Sequence, residues 1–337
     1  MTSGATHTAD IPQQAPGSGH GRTANTAVVA GRSELVPGIV ELMLRPFEPV
    51  RFVPPGSHID IVVPLPGGPE TRSYSLVDRG HDDGLLRIAV RLQQDGRGGS
   101  RWMHGLRAGA EITFTGPIDE FPLSPGRLPS VLLAGGIGVT PIVGLARALR
   151  AGGADYRLVY AGRTRDGMAF VEDLEREHPG RVRVVEDSHG GFVDPDEVVA
   201  SVPDGGVLYV CGPMGLLTAV RAAWQRAARP LGGLRFETFG TSGALPATPF
   251  RVDVPARGLS LDVPVGTNLL DALEKAGVEM MYDCRRGECG LCRVAIIDVD
   301  GRVDHRDVFL SERQHRENQT MCACVSRVAG ASLTIDC

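Results

Sequence analysis

Between residues 26 and 126 the apolar positions come in short alternating runs cut by glycine and proline: GSHIDIVVPL (56–65), RSYSLV (72–77), LLRIAVRL (85–92) and AEITFTG (110–116). A period of two with turn residues between the runs predicts half-buried strands in an antiparallel barrel or sandwich. The texture changes after Pro129. Apolar runs SVLLAGG (130–136), RLVYAG (157–162), RVRVVE (181–186) and GVLYVCG (206–212) alternate with helical patterns. Those helices are expected over PIVGLARALRAGG, near 168–177, from Asp194-Pro195 onward and over 214–228, with Thr140 as N-cap and Pro141 at N1 of the first. Strands alternating with helices predict a parallel, doubly wound α/β sheet. FETFG (236–240) is followed by TSGALPATP (241–249), a linker by composition. The last segment opens with strands FRVDV and LSLDV. A helix is expected over 268–276, with Leu269, Leu270, Leu273 and Ala276 at helical spacing, Asn268 as cap and Gly277 as stop. The expected order is therefore a tail (1–25), a β domain (26–126), an α/β domain (127–240), a linker (241–249) and a C-terminal domain (250–337).

A chain of 337 residues accommodates several domains. Its 35 basic against 40 acidic residues leave a charge of −5, which argues against a general nucleic-acid binder. No apolar run approaches the roughly 20 residues that span a bilayer, so no membrane association is expected. Residues 1–25 lack the apolar core of a secretory signal and are rich in Gly, Ser, Thr and Pro, so a disordered tail and a cytoplasmic location are expected. In that compartment thiols stay reduced, and the crowding of cysteines toward the C-terminus points to metal binding rather than disulfides.

Cys284, Cys289 and Cys292 stand in the order C-x4-C-x2-C, the spacing of a plant-type [2Fe–2S] site. Four thiolates hold two irons, and Gly287 and Gly290 suit a loop that brings backbone N–H groups to the sulfurs. A structural zinc site would pair two C-x2-C knuckles, and only one is present. Cys322 and Cys324 both qualify as the fourth ligand; a strand would put them on the same side, so parity does not choose. Cys337 reads as an incidental thiol.

Gly135, Gly136, Gly138, Val139, Thr140 and Pro141 lie where a strand hands over to a helix, a place where backbone amides receive a pyrophosphate. Pro141 takes the third glycine position of the dinucleotide fingerprint, so the motif is not that fingerprint. Arg163 and Arg165, rather than an acid, follow the second strand, leaving NADH against NADPH open. Cys211-Gly212-Pro213-Met214 ends another strand of the same type, at the edge where such sheets bind ligands. In the first domain, Arg72-Ser73-Tyr74-Ser75 combines a guanidinium, a flat ring and two hydroxyls, a set suited to a phosphorylated flavin. Gly98, Gly99 and Ser100 before a short helix form a second phosphate cradle.

Together RSYSLV, GRGGS, GGIGVTP, CGPMG, FETFG and CRRGECGLC…DHRD…CVSR resemble the phthalate dioxygenase reductase family, relatives of ferredoxin–NADP reductases that include vanillate demethylase reductases. The resemblance spans residues 26–337. It implies an antiparallel FMN-binding β-barrel, an NADH-binding doubly wound α/β domain and a β-grasp ferredoxin domain with a [2Fe–2S] cluster. By the same resemblance Arg72, Ser73, Tyr74 and Ser75 bind FMN, Gly98, Gly99 and Ser100 hold its phosphate, and Ala89, Val90 and Arg91 line it. Gly136, Gly138, Val139, Thr140, Pro141, Arg163, Gly212, Pro213 and Met214 border the nicotinamide nucleotide. Cys211 lies at the nicotinamide and Phe239 covers the flavin ring. The motif C-V-S-R implies Cys324 as fourth ligand beside Cys284, Cys289 and Cys292. The extra Cys322 departs from the family pattern, and the count of 29 residues after Cys292 favours it instead.

The implied function is the reductase component of an oxygenase system, with electrons passing from NADH through FMN and the cluster, one at a time, to a terminal oxygenase of Rieske or P450 type. Ser75 is expected to bond the flavin edge and tune its one-electron chemistry. A monomer suffices, and no acid–base pair is called for. The rivals are a stand-alone NAD(P)H oxidase or ferric reductase, which would not need the cluster, and a redox-sensing ferredoxin-like module, which would not need the nucleotide and flavin sites. Segment 250–337 carries 11 basic and 14 acidic residues, a difference of −3, so partner docking is expected to weaken with salt.

Overall fold

A computed structural model describes residues 24–337 apart from 67, 78–82, 95, 97, 240–244 and 246. The expected tail thus lies outside the described residues up to 23, as does much of the linker.

The first sheet is built from β1 (Asn25–Val36), β2 (Ile39–Pro46), β3 (His58–Leu65), β4 (Gly68–Ser75), β5 (Leu86–Arg91) and β6 (Glu111–Ile118), with helix α1 (Gly99–Gly105) between the last two. All its ladders are antiparallel, in the order β4-β3-β6-β1-β2-β5. A bridge from Leu76 to Ile88 joins the two edges and closes the sheet as a barrel. Closure removes the exposed edges that an open antiparallel sheet would present. Leu42, Leu44, Ile59, Ile61, Ile88 and Phe114 fill the interior.

The second sheet runs β7 (Ser130–Gly135), β8 (Tyr156–Gly162), β9 (Val182–Glu186), β10 (Val207–Gly212) and β11 (Leu234–Thr238), interleaved with α2 (Val139–Ala151), α3 (Val171–Glu177), α4 (Pro195–Ala200) and α5 (Met214–Arg226). Its order is β11-β10-β7-β8-β9 and every pairing is parallel. Alternate residues of β7 face opposite layers. Leu132 and Ala134 pack with Ile142 and Leu145 of α2 and Leu174 of α3, whereas Val131 and Leu133 pack with Val198 of α4 and Leu217 and Trp224 of α5. The sheet is therefore doubly wound, as its solidly apolar strands require. Asp194 caps α4 from the N–H groups of Asp196 and Glu197, as read from the sequence.

The first helix differs from the reading. Gly136–Gly138 form a 3-10 turn that runs straight into α2, so Gly138 stands at the N-cap and Thr140 lies inside the first turn, its hydroxyl donating to the Ile137 carbonyl. A continuous turn leaves no extended residue at 140 from which a side chain could cap.

The third sheet contains β12 (Phe250–Val254), β13 (Leu259–Val263), β14 (Arg293–Asp304), β15 (Thr320–Cys322) and β16 (Arg327–Asp336), with α6 (Leu269–Lys275) packed on it and α7 (Glu312–Glu317) before β15. Its order is β13-β12-β16-β14-β15, with β12 and β16 parallel and the other pairs antiparallel. Leu269, Leu270 and Leu273 bury the apolar face of α6, and Asn268 caps it through the Asp271 N–H. The order and the single packed helix match the expected β-grasp.

The three sheets share packing. Ile39, Val77, Ala89 and Phe121 from the barrel join the core of the parallel sheet, where Phe121 meets Tyr209 edge-on at 5.8 Å. Burying such a ring contributes about 1.5–3 kcal/mol. Val308 of the third segment is 3% exposed and packs into the α4–α5 layer.

Candidate functional site

On β4 the alternation puts Arg72 and Tyr74 on one side and Ser73 and Ser75 on the other. Burial pushes the Tyr74 hydroxyl up to about 12 against the pull of Arg72. Arg72 donates to Glu70 at 2.5 Å and to the Thr71 carbonyl. Its guanidinium also lies against the start of α1: a Cβ on Gly99 would come within 3.0 Å of Arg72 Nε, and Gly98 is left-handed at φ +100°. Ser100 Oγ accepts from the Gln93 N–H. A cation against glycine backbone with no side chain in the gap is a cradle that fits one phosphate. Ser73 is turned to Asp60 and is exposed. Along β5, Ala89 faces the parallel sheet and Val90 faces the barrel core, so only the backbone of Val90 is available to a ligand. Arg91 is exposed and its Nη1 lies near the Gly136 turn.

β7 is flanked by β10 on one side and β8 on the other, and at this point the strand order reverses. Ligands of open α/β sheets bind at the carboxyl ends beside such a reversal. Two backbones touch there. A Cβ at Gly138 would lie 2.3 Å from the Cys211 carbonyl oxygen, and one at Gly135 would lie 2.7 Å from Pro213. The glycines keep the 135–138 turn against the backbone of Cys211 and Gly212 and against Pro213, just before α5. Val139, Thr140 and Pro141 are buried in the first turn of α2, whereas Arg163 stays exposed past β8. Arg165 is committed to Glu175 and Glu172.

Beside this turn is a buried polar group that the sequence reading missed. Cys211 on β10 and Glu237 on β11 are ladder partners, at 0% and 2% exposure. Ser75, from the barrel, donates to Glu237 Oε2 at 3.2 Å. Burial, then the nearby Glu288 carboxylate, hold Glu237 well above the usual carboxylate range despite the Ser75 bond. Burial with Glu237 and Glu288 likewise pushes the Cys211 thiol up, which makes it a neutral neighbour rather than a nucleophile. Phe239 follows β11, half-buried against the same core as Ala89 and Cys211. Expected residues Ser75, Cys211 and Phe239 thus converge, with Glu237 among them. The signal was the acid in the strand FETF: a buried parallel strand tolerates a carboxylate only where it has partners.

In the cysteine loop, the N–H groups of Arg286, Glu288 and Cys289 all donate to Cys284 Sγ, at 3.4, 3.3 and 3.3 Å. Burial pushes the Cys284 thiol up, and the three amide dipoles on its sulfur work against that, toward the thiolate that an iron ligand requires. Gly287 and Gly290 are left-handed at φ +76° and +71°, and Cβ atoms there would strike Val325 and the Phe309 ring. Hydrogen bonds from Cys322 and Cys324 pull the Cys292 thiol down. The two candidate fourth ligands differ in surroundings. Cys324 is bonded by the Gly287 backbone of the loop and lies among the charges of Cys292 and Cys284, whereas Cys322 lies among those of Asp307, Cys292 and Cys324. This donor set fits a [2Fe–2S] cluster.

Asp307 buttresses the loop. It accepts from the Leu310 N–H and the Ser326 hydroxyl, while Gly287 O accepts from the Val308 and Phe309 N–H groups. Hydrogen bonds from its histidine and backbone neighbours hold its carboxyl well down despite burial. Its ligand-type atoms and those of His305 and His315 lie within 4.8 Å of one another. The two imidazoles are stacked at 4.4 Å and 19°, however, so their in-plane lone pairs do not converge on one ion.

Comparison with known proteins agrees with this geometry. Residues 252–329 match the family of 2Fe-2S iron-sulfur cluster binding domains, and residues 42–122 match the oxidoreductase FAD-binding domain family. The chain is 32% identical over 282 residues to the carnitine monooxygenase reductase subunit of Acinetobacter baumannii, covering 83% of this chain and 87% of that one. Among solved structures, phthalate dioxygenase reductase superposes with a TM-score of 0.73 at 31% identity over 93% of this chain and 97% of its own. An intact self-sufficient type IV cytochrome P450 monooxygenase superposes at 0.65 with 35% identity; there the match covers 93% of this chain but only 41% of that longer protein. Among the described residues no helix is long and apolar enough to cross a membrane. Identities of 31% and 32% along most of the length of phthalate dioxygenase reductase and of an oxygenase reductase subunit show that the chain belongs to the phthalate dioxygenase reductase family, the flavin- and iron–sulfur-dependent reductase subunits of oxygenase systems.

Proposed function

We propose that this chain takes electrons from NADH, holds FMN rather than FAD, and serves a separate terminal oxygenase from the cytoplasm as a monomer. The single observation that carries the reading is the contact between Ser75 of the barrel and Glu237 of the parallel sheet, 3.2 Å apart, which fixes the flavin strand against the nucleotide switch point. A nicotinamide lying over Cys211 would then meet a flavin ring lying along β4. FMN is favoured by the cradle of Arg72 with Gly98, Gly99 and Ser100, which offers one phosphate position. NADH is favoured because Arg165, one of the two cations after β8 that could meet a ribose phosphate, is paired with Glu175.

When bound, the flavin accepts a hydride and the cluster carries single electrons, so a two-electron donor can serve a one-electron acceptor. The chain's residues bind, orient and exclude water. Arg72 and the first turn of α1 anchor the phosphate, and Tyr74 supplies an apolar wall with its hydroxyl kept protonated. Gly136 and Gly138 let amides approach the dinucleotide pyrophosphate. Cys211 stays a thiol, and the Glu237 carboxyl is positioned by Ser75 to hold or release a proton at its Oε2. Phe239, half-buried beside Ala89 and Cys211, would cover the ring.

Cys284, Cys289, Cys292 and Cys324 would hold the irons, Cys324 being favoured over Cys322 by the C-V-S-R motif and by its hydrogen bond from the Gly287 backbone inside the loop. An anaerobic titration of purified holoprotein with NADH, followed through the visible bands of flavin and cluster, tests the reading together with mass analysis of the extracted flavin. Bleaching of both chromophores and release of FMN are expected. Material with no flavin, or with no acid-labile sulfide, overturns it.

A further inference from the structure

The two charged residues inside the cysteine loop do not point to solvent. Arg286 reaches Glu120, just past the barrel strand β6, and also Glu237 of the parallel sheet, with Nη1 to Oε1 at 3.4 Å. Its own neighbour Glu288 lies 3.7 Å from Nη2. Glu288 in turn accepts from Thr238 twice, from the backbone N–H at 2.9 Å and the hydroxyl at 2.7 Å. The side chains of Arg286 and Glu288 are only 13% and 16% exposed. A few residues thus tie three separately folded sheets together at one point, between the first two cysteines.

We propose that Arg286 and Glu288 form a latch that seats the iron–sulfur loop against the flavin cleft, with Arg286 a positioning residue for flavin-to-cluster electron transfer. The inference rests on reading Cys284 and Cys289 as cluster ligands. Each hydride from NADH brings two electrons, which leave the flavin singly and enter the cluster one per transfer. That rate falls steeply with separation, so the placement of the loop governs it. Apolar packing of Val308 presses the same region against the α4–α5 layer but does not aim the loop. The guanidinium supplies direction because its fork can meet the Glu120 carboxylate and an oxygen of the Glu237 carboxyl, from different domains, at once. A buried ion pair is weak evidence for stability alone, and Arg286 Nε has no hydrogen-bond partner. Both facts favour a residue retained for geometry. Through Glu237 the latch also touches the carboxyl group held by Ser75, so the nicotinamide side of the cleft and the cluster loop share one contact.

The test uses full-length holoprotein in three variants: Arg286→Ala, Arg286→Lys, and Glu120→Gln, which leaves the cysteine loop untouched. Stopped-flow absorbance under argon follows flavin and cluster separately, and hydrogen exchange reads the Thr238 amide. In Arg286→Ala the flavin-to-cluster step is expected to slow at least about tenfold more than the nicotinamide-to-flavin step, the worth of one charge-assisted hydrogen bond. Arg286→Lys recovers part of it, Glu120→Gln shows the same selective pattern more weakly, and Thr238 exchanges faster in Arg286→Ala. Iron content and the low-temperature EPR spectrum of the cluster stay as in the parent. Equal slowing of both steps, no slowing, an unchanged Thr238 amide or loss of iron in Glu120→Gln overturns the latch. If the parent protein itself fails to pass electrons from flavin to cluster, the functional reading falls and the latch with it, an outcome separable from the variants' behaviour.

Discussion

In the cysteine loop, residues 284–292 supply three of the sulfurs and also the backbone N–H groups that face one of them. In the flavin–nicotinamide cleft, Ser75, Cys211 and Glu237 come from three strands in two sheets and meet only through tertiary packing. The loop's chemistry is therefore nearly complete once its local backbone is formed. The cleft's chemistry exists only while barrel and parallel sheet stay docked. Local sites tolerate domain motion and fail through their own glycines and cysteines, whereas assembled sites fail through interface contacts.

The largest expected effect bears on the one long-range member of the loop. Cys324→Ser should abolish cluster assembly, seen as loss of iron and sulfide from the purified chain, while Cys322→Ser retains both. The reverse result would make Cys322 the ligand. On the cleft side, Gly138→Ala forces a Cβ to within 2.3 Å of the Cys211 carbonyl oxygen. Backbone on both sides leaves little room to yield, so the cost should reach or exceed the about 1–3 kcal/mol of ordinary overpacking, measured as a lowered urea midpoint. A variant as stable as the parent would show that the two turns are not packed as described.

Next comes the phosphate cradle. Arg72→Ala should weaken flavin binding by about tenfold to a hundredfold, the loss of a charge-assisted bond, with cluster content unchanged; flavin fluorescence on dilution reads the affinity. Equal loss of flavin and iron would erase the distinction drawn between the two regions.

The most gradual effect is in pH, spread over several units. In the unfolded chain Glu237 ionises near about 4.3, while in the fold burial holds it protonated to higher pH. Between those values the native state binds more protons, so this group makes stability fall as pH rises, by up to about 1.4 kcal/mol per pH unit within the window. Glu237→Gln should remove that decline in urea melts run from about pH 5 to 8. A parent and variant with parallel pH profiles would mean that Arg286, 3.4 Å away, keeps the carboxylate ionised.

Several parts of the fold were legible because their cause is local. Alternation marked β3 to β6, apolar strands between amphipathic helices marked the parallel sheet, and Asp194 and Asn268 announced their helices. The capping role read for Thr140 failed because the glycine turn before it is itself helical. Strands β1 and β2 were not singled out by the alternation.

What the sequence settled alone was the inventory: three segments of different period, a cysteine spacing suited to two irons, and glycine turns suited to phosphates. These follow from side-chain periodicity and backbone freedom, which act over a few residues. The closeness of Glu237 to Ser75, the gathering of carboxylates around Arg286, and the different company of Cys322 and Cys324 were decided only by tertiary structure. Each depends on how whole sheets dock, and docking is set by summed packing that no short stretch of sequence encodes.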